Sequence, residues 1–186
     1  MAKLLCTGLT SLDGYINDEF GKFDWAQPDA EVHDFVNRLA EPVGTYLLGR
    51  KLYETLKVWD DPKTVAGEPA EMVDYARIWQ AADKIVYSKT LKFVTTRRTR
   101  LETSLDLETL RSMKASATQA LSIGGPTLAA AAISAGLVDE FQILASPVAV
   151  GSGTAFFPPR TQVALELVEE RRFHNGVVFL RYLPRR

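Results

Sequence analysis

The sequence predicts an α/β chain built on a mixed, mainly parallel sheet flanked by helices. Apolar runs of strand length alternate with helix-period segments through most of the chain, which calls for parallel strands joined by helical crossovers. The last two strand-like runs, 163–173 and 177–183, are joined through His174-Asn175-Gly176, and Asn-Gly is the strongest short hairpin signal. The clearest single unit lies between residues 120 and 148. An apolar run at 120–123 meets Gly124-Gly125, Pro126 suits a first helical position, Thr127 opens an alanine-rich helix to Ala135, Gly136 stops it, and 141–148 returns as a buried strand. This βαβ unit presents a helix N-terminus ready for an anion.

At 186 residues and 46% hydrophobic, the chain is long enough for one core and short for two, so a single domain over 1–186 is expected. Charged residues make up 24% with a net charge of -1, which argues against nucleic acid or acidic membranes as partners. One cysteine, Cys6, excludes an intrachain disulfide and a multi-cysteine metal site, and its apolar surroundings predict a buried, inert thiol. No metal is expected. Met1-Ala2-Lys3 leads straight into a strand and no apolar run reaches membrane-spanning length, so a soluble cytoplasmic protein is expected.

In chain order, residues 3–10 form a short apolar run suited to a central strand. It exits at Ser11-Leu12-Asp13-Gly14-Tyr15-Ile16, where Asp-Gly breaks regular structure; Asp13 either holds that turn or faces a ligand. Residues 17–28 read as a long loop with its own aromatics, among them Trp25, either a binding element or a plug against the core. A helix follows, with Asp29 as cap or first-turn acid and a stripe of Val32, Phe35, Val36 and Leu39; His33 lies off that stripe and is expected in solvent. Residues 45–48 are a strand. Gly49-Arg50-Lys51 then opens a helix with two cations at its positive end, a conflict that an external phosphate would resolve.

Residues 60–69 read as a polar loop and 70–80 as a helix with Met72, Tyr75, Ala76 and Trp79 on its apolar face. A strand at 84–87 exits at Ser88-Lys89-Thr90, again hydroxyls and a cation. Leu101-Glu102 is a short strand, and 106–114 is a helix that Ser104 is placed to cap, with Leu107, Leu110 and Met113 inward. Gly151-Ser152-Gly153 lacks the spacing and following helix of a nucleotide fingerprint and reads as a loop, with Phe156 and Phe157 turned into the core.

Five pieces, in order, resemble the dihydrofolate reductase-like reductases, in particular the branch containing the pyrimidine reductase domain of riboflavin biosynthesis. They are 11–16 (SLDGYI), 48–54 (LGRKLYE), 86–91 (VYSKTL), 123–125 (IGG), and 136–140 (GLVDE) running through Pro147 to Gly151-Ser152-Gly153 and Phe157. The resemblance implies a three-layer fold with an eight-stranded sheet and NADPH across its strand ends. It implies that Gly49, Arg50, Lys51, Ser88 and Lys89 hold the adenosine ribose and its 2′-phosphate, and that Gly124, Gly125, Pro126, Thr127 and Leu128 surround the pyrophosphate. Ser11 to Ile16 would flank the nicotinamide, with Asp13, Trp25 and Asp29 on the substrate side. The implied activity is hydride transfer to a heteroaromatic ring: a pteridine, a flavin-related ring, or a pyrimidine akin to 5-amino-6-(5-phosphoribosylamino)uracil. In folate reductases an acid on the first helix follows a Trp-x-x-Pro context. Here Trp25-Ala26-Gln27-Pro28 matches, but Ala30 takes the acid's place between Asp29 and Glu31. A non-catalytic nucleotide-binding or sensing protein of the same fold is the alternative. Relatives of this kind often pair, which implies a homodimer.

Overall fold

The computed structural model describes residues 1–185. Its strands are β1 Leu4–Ser11, β2 Tyr15–Asn17, β3 Val43–Gly49, β4 Asp83–Tyr87, β5 Thr99–Glu102, β6 Ala120–Gly124, β7 Glu140–Ser146, β8 Thr154–Ala155, β9 Leu165–Arg172 and β10 Val178–Pro184. Its helices are α1 Ala30–Ala40, α2 Arg50–Leu56, α3 Pro62–Val65, α4 Ala70–Ala81, α5 Leu107–Ser116 and α6 Pro126–Ser134, with 3-10 turns at Asp24–Ala26 and Lys57–Asp60. Eight strands form one sheet in the order β5-β4-β3-β6-β1-β7-β10-β9, and β2 pairs with β8 as a separate ribbon. From β5 to β7 every pairing is parallel, while β10 runs antiparallel to β7 and β9. The mixed, mainly parallel sheet and the terminal hairpin are therefore as the sequence predicts, and the eight strands are as the resemblance implies.

Alternation along the central strands explains the three layers. Leu4, Cys6, Leu47, Ile85, Leu121, Ile123 and Phe141 face Leu110 of α5 and Ala129, Ala132 and Ile133 of α6. Their neighbours Leu5, Tyr46, Leu48 and Val86 face the other way, onto Tyr53 of α2 and Trp79 of α4. Farther along that second face, Val32, Phe35 and Leu39 of α1 cover Leu144 and Phe179. Strands buried on both faces are what the near-continuous apolar runs require. Cys6 is buried, which pushes its thiol up to about 12 and leaves it inert near neutrality.

Four local expectations are corrected. His33 is not solvated: its ring stands edge-on to Trp59 and Tyr75 at 5.9 and 5.8 Å between centroids. One turn on, Asn37 donates its Nδ2 to the Glu71 carbonyl at 2.7 Å, so α1 buries a second face against α4. Ser104 does not cap α5; Asp106 does, accepting from Thr109 N at 2.8 Å. The 60–69 loop contains α3, started by Asp61, whose carboxylate accepts from Lys63 N. The short edge strand begins at Thr99, two residues before the sequence suggests.

Candidate functional site

Because β1, β3, β4, β5, β6 and β7 are parallel, their carboxyl ends emerge on one edge of the sheet. Register places Gly49 opposite Tyr87, Leu48 opposite Gly124, and Ser11 opposite Ser146. The three sequence-predicted exits, Gly49-Arg50-Lys51, Ser88-Lys89 and Gly124-Gly125, therefore stand side by side, at the place where open α/β sheets take ligands. The edge is also stepped. Leu5 pairs with Ser122, so Thr7 lies level with Gly124, and β1 runs on to Ser11. Four further residues at ~3.3 Å each raise β1 and β7 about 13 Å above the β6 exit as a wall beside the shelf.

On the shelf, Gly49 is the N-cap of α2 and Gly125 that of α6. Gly125 has φ +93°, open to glycine, and Pro126 at the first helical position withdraws no needed N–H. Thr127 is exposed at the start of α6. Arg50 and Lys51 are exposed, and Arg50 reaches Glu54 one turn on at 3.2 Å, an ordinary surface pair. Ser88 Oγ accepts from Thr90 N and Leu91 N, shaping the β4 exit and leaving its hydroxyl proton to donate. Lys89 beside it is exposed.

At the wall, Ser11 is buried and its Oγ accepts from Tyr15 N at 3.0 Å. Ile16 packs on the core. Asp13 is exposed, and its carboxylate accepts from Val150 N at 3.2 Å and Gly151 N at 2.7 Å. Hydrogen bonds from Ser11 first, and from these amides, hold its carboxyl below the usual carboxylate range, so it is an anion near neutrality. Sequence reasoning sees an Asp-Gly turn there; the partners lie 137 and 138 positions away and leave no local signal. Trp25 is half-buried, and its shielded indole Nε1 has no hydrogen-bond partner among the described residues. Asp29 caps α1 through Oδ1, which accepts from Val32 N at 3.0 Å. Glu31, the acid on the other side of Ala30, binds Arg171 Nη2 at 3.1 Å and His174 Nδ1 at 2.9 Å and so ties α1 to the terminal hairpin.

A concavity of about 710 Å³ opens at the opposite edge, among Lys3, Ser134, Gly136, Asp139, Gln162 and Leu183. It faces the amino ends of β1 and β7 and the negative end of α6, where phosphate is disfavoured. The strand exits are the better anion site. No helix among the described residues is long and apolar enough to cross a membrane.

Comparison with known proteins agrees with this fold. The chain is 28% identical over 176 residues to the uncharacterized protein YyaP of Bacillus subtilis (strain 168), covering 92% of this chain and 89% of that one. Its fold is similar to a putative riboflavin biosynthesis protein of Shewanella sp. PV-4, with TM-score 0.76, 22% identity and full coverage of both chains. It is also similar to the diaminohydroxyphosphoribosylaminopyrimidine deaminase/5-amino-6-(5-phosphoribosylamino)uracil reductase of Thermotoga maritima, with TM-score 0.67 and 15% identity, over 99% of this chain and 57% of that larger one. Residues 2–179 match the model of the RibD C-terminal domain, and with the eight-stranded sheet and its clustered strand exits this places the chain in the RibD C-terminal domain family.

Proposed function

We propose that the protein is an NADPH-dependent reductase that delivers a hydride to a heteroaromatic ring of pyrimidine, pteridine or flavin-related type. The observation that carries this reading is the convergence of Gly49-Arg50-Lys51, Ser88-Lys89 and Gly124-Gly125 on one sheet edge. The residues suit the cofactor. The α6 N-terminus offers backbone N–H groups and a positive dipole to the pyrophosphate, and Arg50, Lys51 and Lys89 offer cations to a 2′-phosphate. When bound, the cofactor supplies the hydride. The chain's own residues bind and orient: the shelf fixes the phosphates, and the β1 exit from Ser11 to Ile16 walls the nicotinamide side. Trp25, with an unpartnered indole donor, and Asp29, exposed at the start of α1, are the substrate-side groups. The Thermotoga maritima protein's name supports a pyrimidine as the first ring to try. The reading includes a cytoplasmic protein acting on a small molecule and pairing as a homodimer.

One observation favours a non-catalytic nucleotide binder instead: Asp13 and Asp29 each spend carboxylate oxygens on backbone amides. Calorimetric titration with NADPH and with NADH separates the outcomes. NADPH binding with preference over NADH, followed by oxidation of NADPH in the presence of a pyrimidine, pteridine or flavin, is the expected result. Binding without turnover across all three rings supports the binder. A folded protein that binds neither nucleotide overturns both readings.

A further inference from the structure

We propose that Asp13 is a positioning residue: it clasps the β1 exit loop, residues 12–17, to the β7 exit loop, residues 147–156, and so sets the wall that the nicotinamide half of the cofactor lies against. The clasp rests on hydrogen bonds alone, while its consequence for the cofactor rests on the reductase reading above.

The two loops leave neighbouring strands, since Ser11 and Ser146 are register partners at the ends of β1 and β7. Parallel strands end without a shared turn, so each loop must find its own support. Asp13 supplies much of it by taking two successive amides, Val150 N on Oδ1 and Gly151 N on Oδ2. Such paired acceptance from an ionised group is among the stronger kinds of hydrogen bonding. The local chain presents the carboxylate for this task. Gly14, at φ +86°, lets the chain double back so that Gly14 N donates to Ser11 O, and the Ser11 hydroxyl supports both Tyr15 N and the Asp13 carboxylate.

Around that pair the loops are joined throughout. Leu12 N donates to Val148 O at 2.7 Å, Thr154 N to Asn17 Oδ1 at 3.2 Å, and Phe156 N to Gly14 O at 2.9 Å, while β2 and β8 form their ribbon. The contact is close enough to demand glycine: a Cβ on Gly153, at φ +142°, would lie 2.0 Å from Asn17 O. The far end is pinned in the core, where the Phe156 ring lies over Gly8 and a Cβ there would meet it at 2.7 Å. With one end pinned and the ribbon short, the 150–151 segment depends on Asp13. Each carboxylate oxygen is engaged by a loop amide and the group holds no proton near neutrality, so the role assigned to it is to hold the loops.

Asp13→Asn keeps the size and leaves one acceptor where two amides need two. Amide hydrogen exchange, followed by NMR on the full chain, is expected to speed up at Val150 and Gly151 by about tenfold, with β3 and β6 unchanged. The Kd for NADPH is expected to rise by about tenfold while that for adenosine 2′,5′-bisphosphate, which reaches only the shelf, stays constant. A fragment affinity that falls in step with NADPH, or an NADPH affinity that does not move, overturns the positioning role. Unchanged exchange at both amides overturns the clasp. Asn17→Ala, which removes the Thr154 tie, is expected to act in the same direction more weakly, and no effect from it counts against the clasp. Wild-type protein that binds neither ligand defeats the cofactor reading, and the exchange measurement still decides the clasp.

Discussion

A Cβ on Gly125 would lie 3.3 Å from both the N and the Cα of Gly49. The exits of β3 and β6 thus meet backbone to backbone, and the N-caps of α2 and α6 are neighbours. Beside them a Cβ on Gly124 would fall 2.4 Å from Leu52 Cδ2. At Gly49, Gly124 and Gly125 the shelf is main chain, with the Leu52 side chain packed against Gly124. On the proposed reading this main chain gives a phosphate close approach, and the packing makes the glycines structural in their own right.

Gly125→Ala is therefore expected to cost about 1–3 kcal/mol, because it forces a residue with a Cβ into a conformation kept for glycine and presses it on Gly49. Gly136→Ala is the control. Gly136 also has positive φ, at +64°, but a Cβ there meets nothing within 4 Å, so the cost is strain alone and is smaller. Urea unfolding midpoints of the two variants measure the difference, and equal losses would show that the contact with Gly49 contributes nothing.

Arg50→Ala is expected to weaken NADPH by roughly tenfold or more, the value of one hydrogen bond to a charged group, and to leave NADH nearly unchanged. The pair with Glu54 is exposed and contributes little to stability, so the unfolding midpoint should hardly move. Isothermal titration of both nucleotides checks this. Equal weakening would remove Arg50 from the 2′-phosphate.

Much of this shelf is legible in the sequence because its signals are local. Glycine at a strand end, proline at a first helical position and cations at a helix start each state their own requirement within a few residues. The buried strands are legible for the same reason, as apolar runs too short for helices. The wall is not. β2 and β8 have three and two residues, too few to show a period, and Asp13 meets partners fixed only by the pairing of β1 with β7. His33 is misjudged because one stripe accounts for the sheet face of α1 and nothing in the helix announces that α4 covers a second. Lys84 and Lys114 are also hidden from the sequence, since each is a buried lysine, Lys84 with its head on the carbonyls of Trp79 and Ala82 and Lys114 on the Leu137 carbonyl and the Asp139 carboxylate.

The cap that Asp29 makes and the substrate contact proposed for it are separable. As the cap of α1 it satisfies Val32 N, and Asp29→Ala should cost about 1 kcal/mol in chemical unfolding. Asn caps as well as Asp, so Asp29→Asn should keep stability and NADPH affinity. If the exposed carboxylate also touches substrate, that same variant loses turnover. A rate equal to wild type would leave Asp29 with the cap alone.

Lys84 gives the chain a stability that rises with pH on the alkaline side. It is 1% exposed, its Nζ donates to the carbonyls of Trp79 and Ala82 at 2.9 and 3.0 Å, and it lies 5.1 Å from the Trp79 ring centroid. These contacts hold the end of α4, but burial dominates and brings the ammonium down from 10.5 to about 8. Below that value the folded chain carries a buried charge. Between about 8 and 10.5 the unfolded chain binds more protons than the folded one, so stability increases with pH, by on the order of 3 kcal/mol over the whole window. Tyr75 works in the opposite sense, since burial pushes it up to about 12 and the folded chain keeps its proton longer, lowering stability above pH ~10. Lys84→Met removes the first effect and leaves the second. Urea unfolding from pH 7 to 10 should show wild-type stability climbing relative to the variant, and parallel profiles would mean that Lys84 carries the same charge in the folded and unfolded chains across that range.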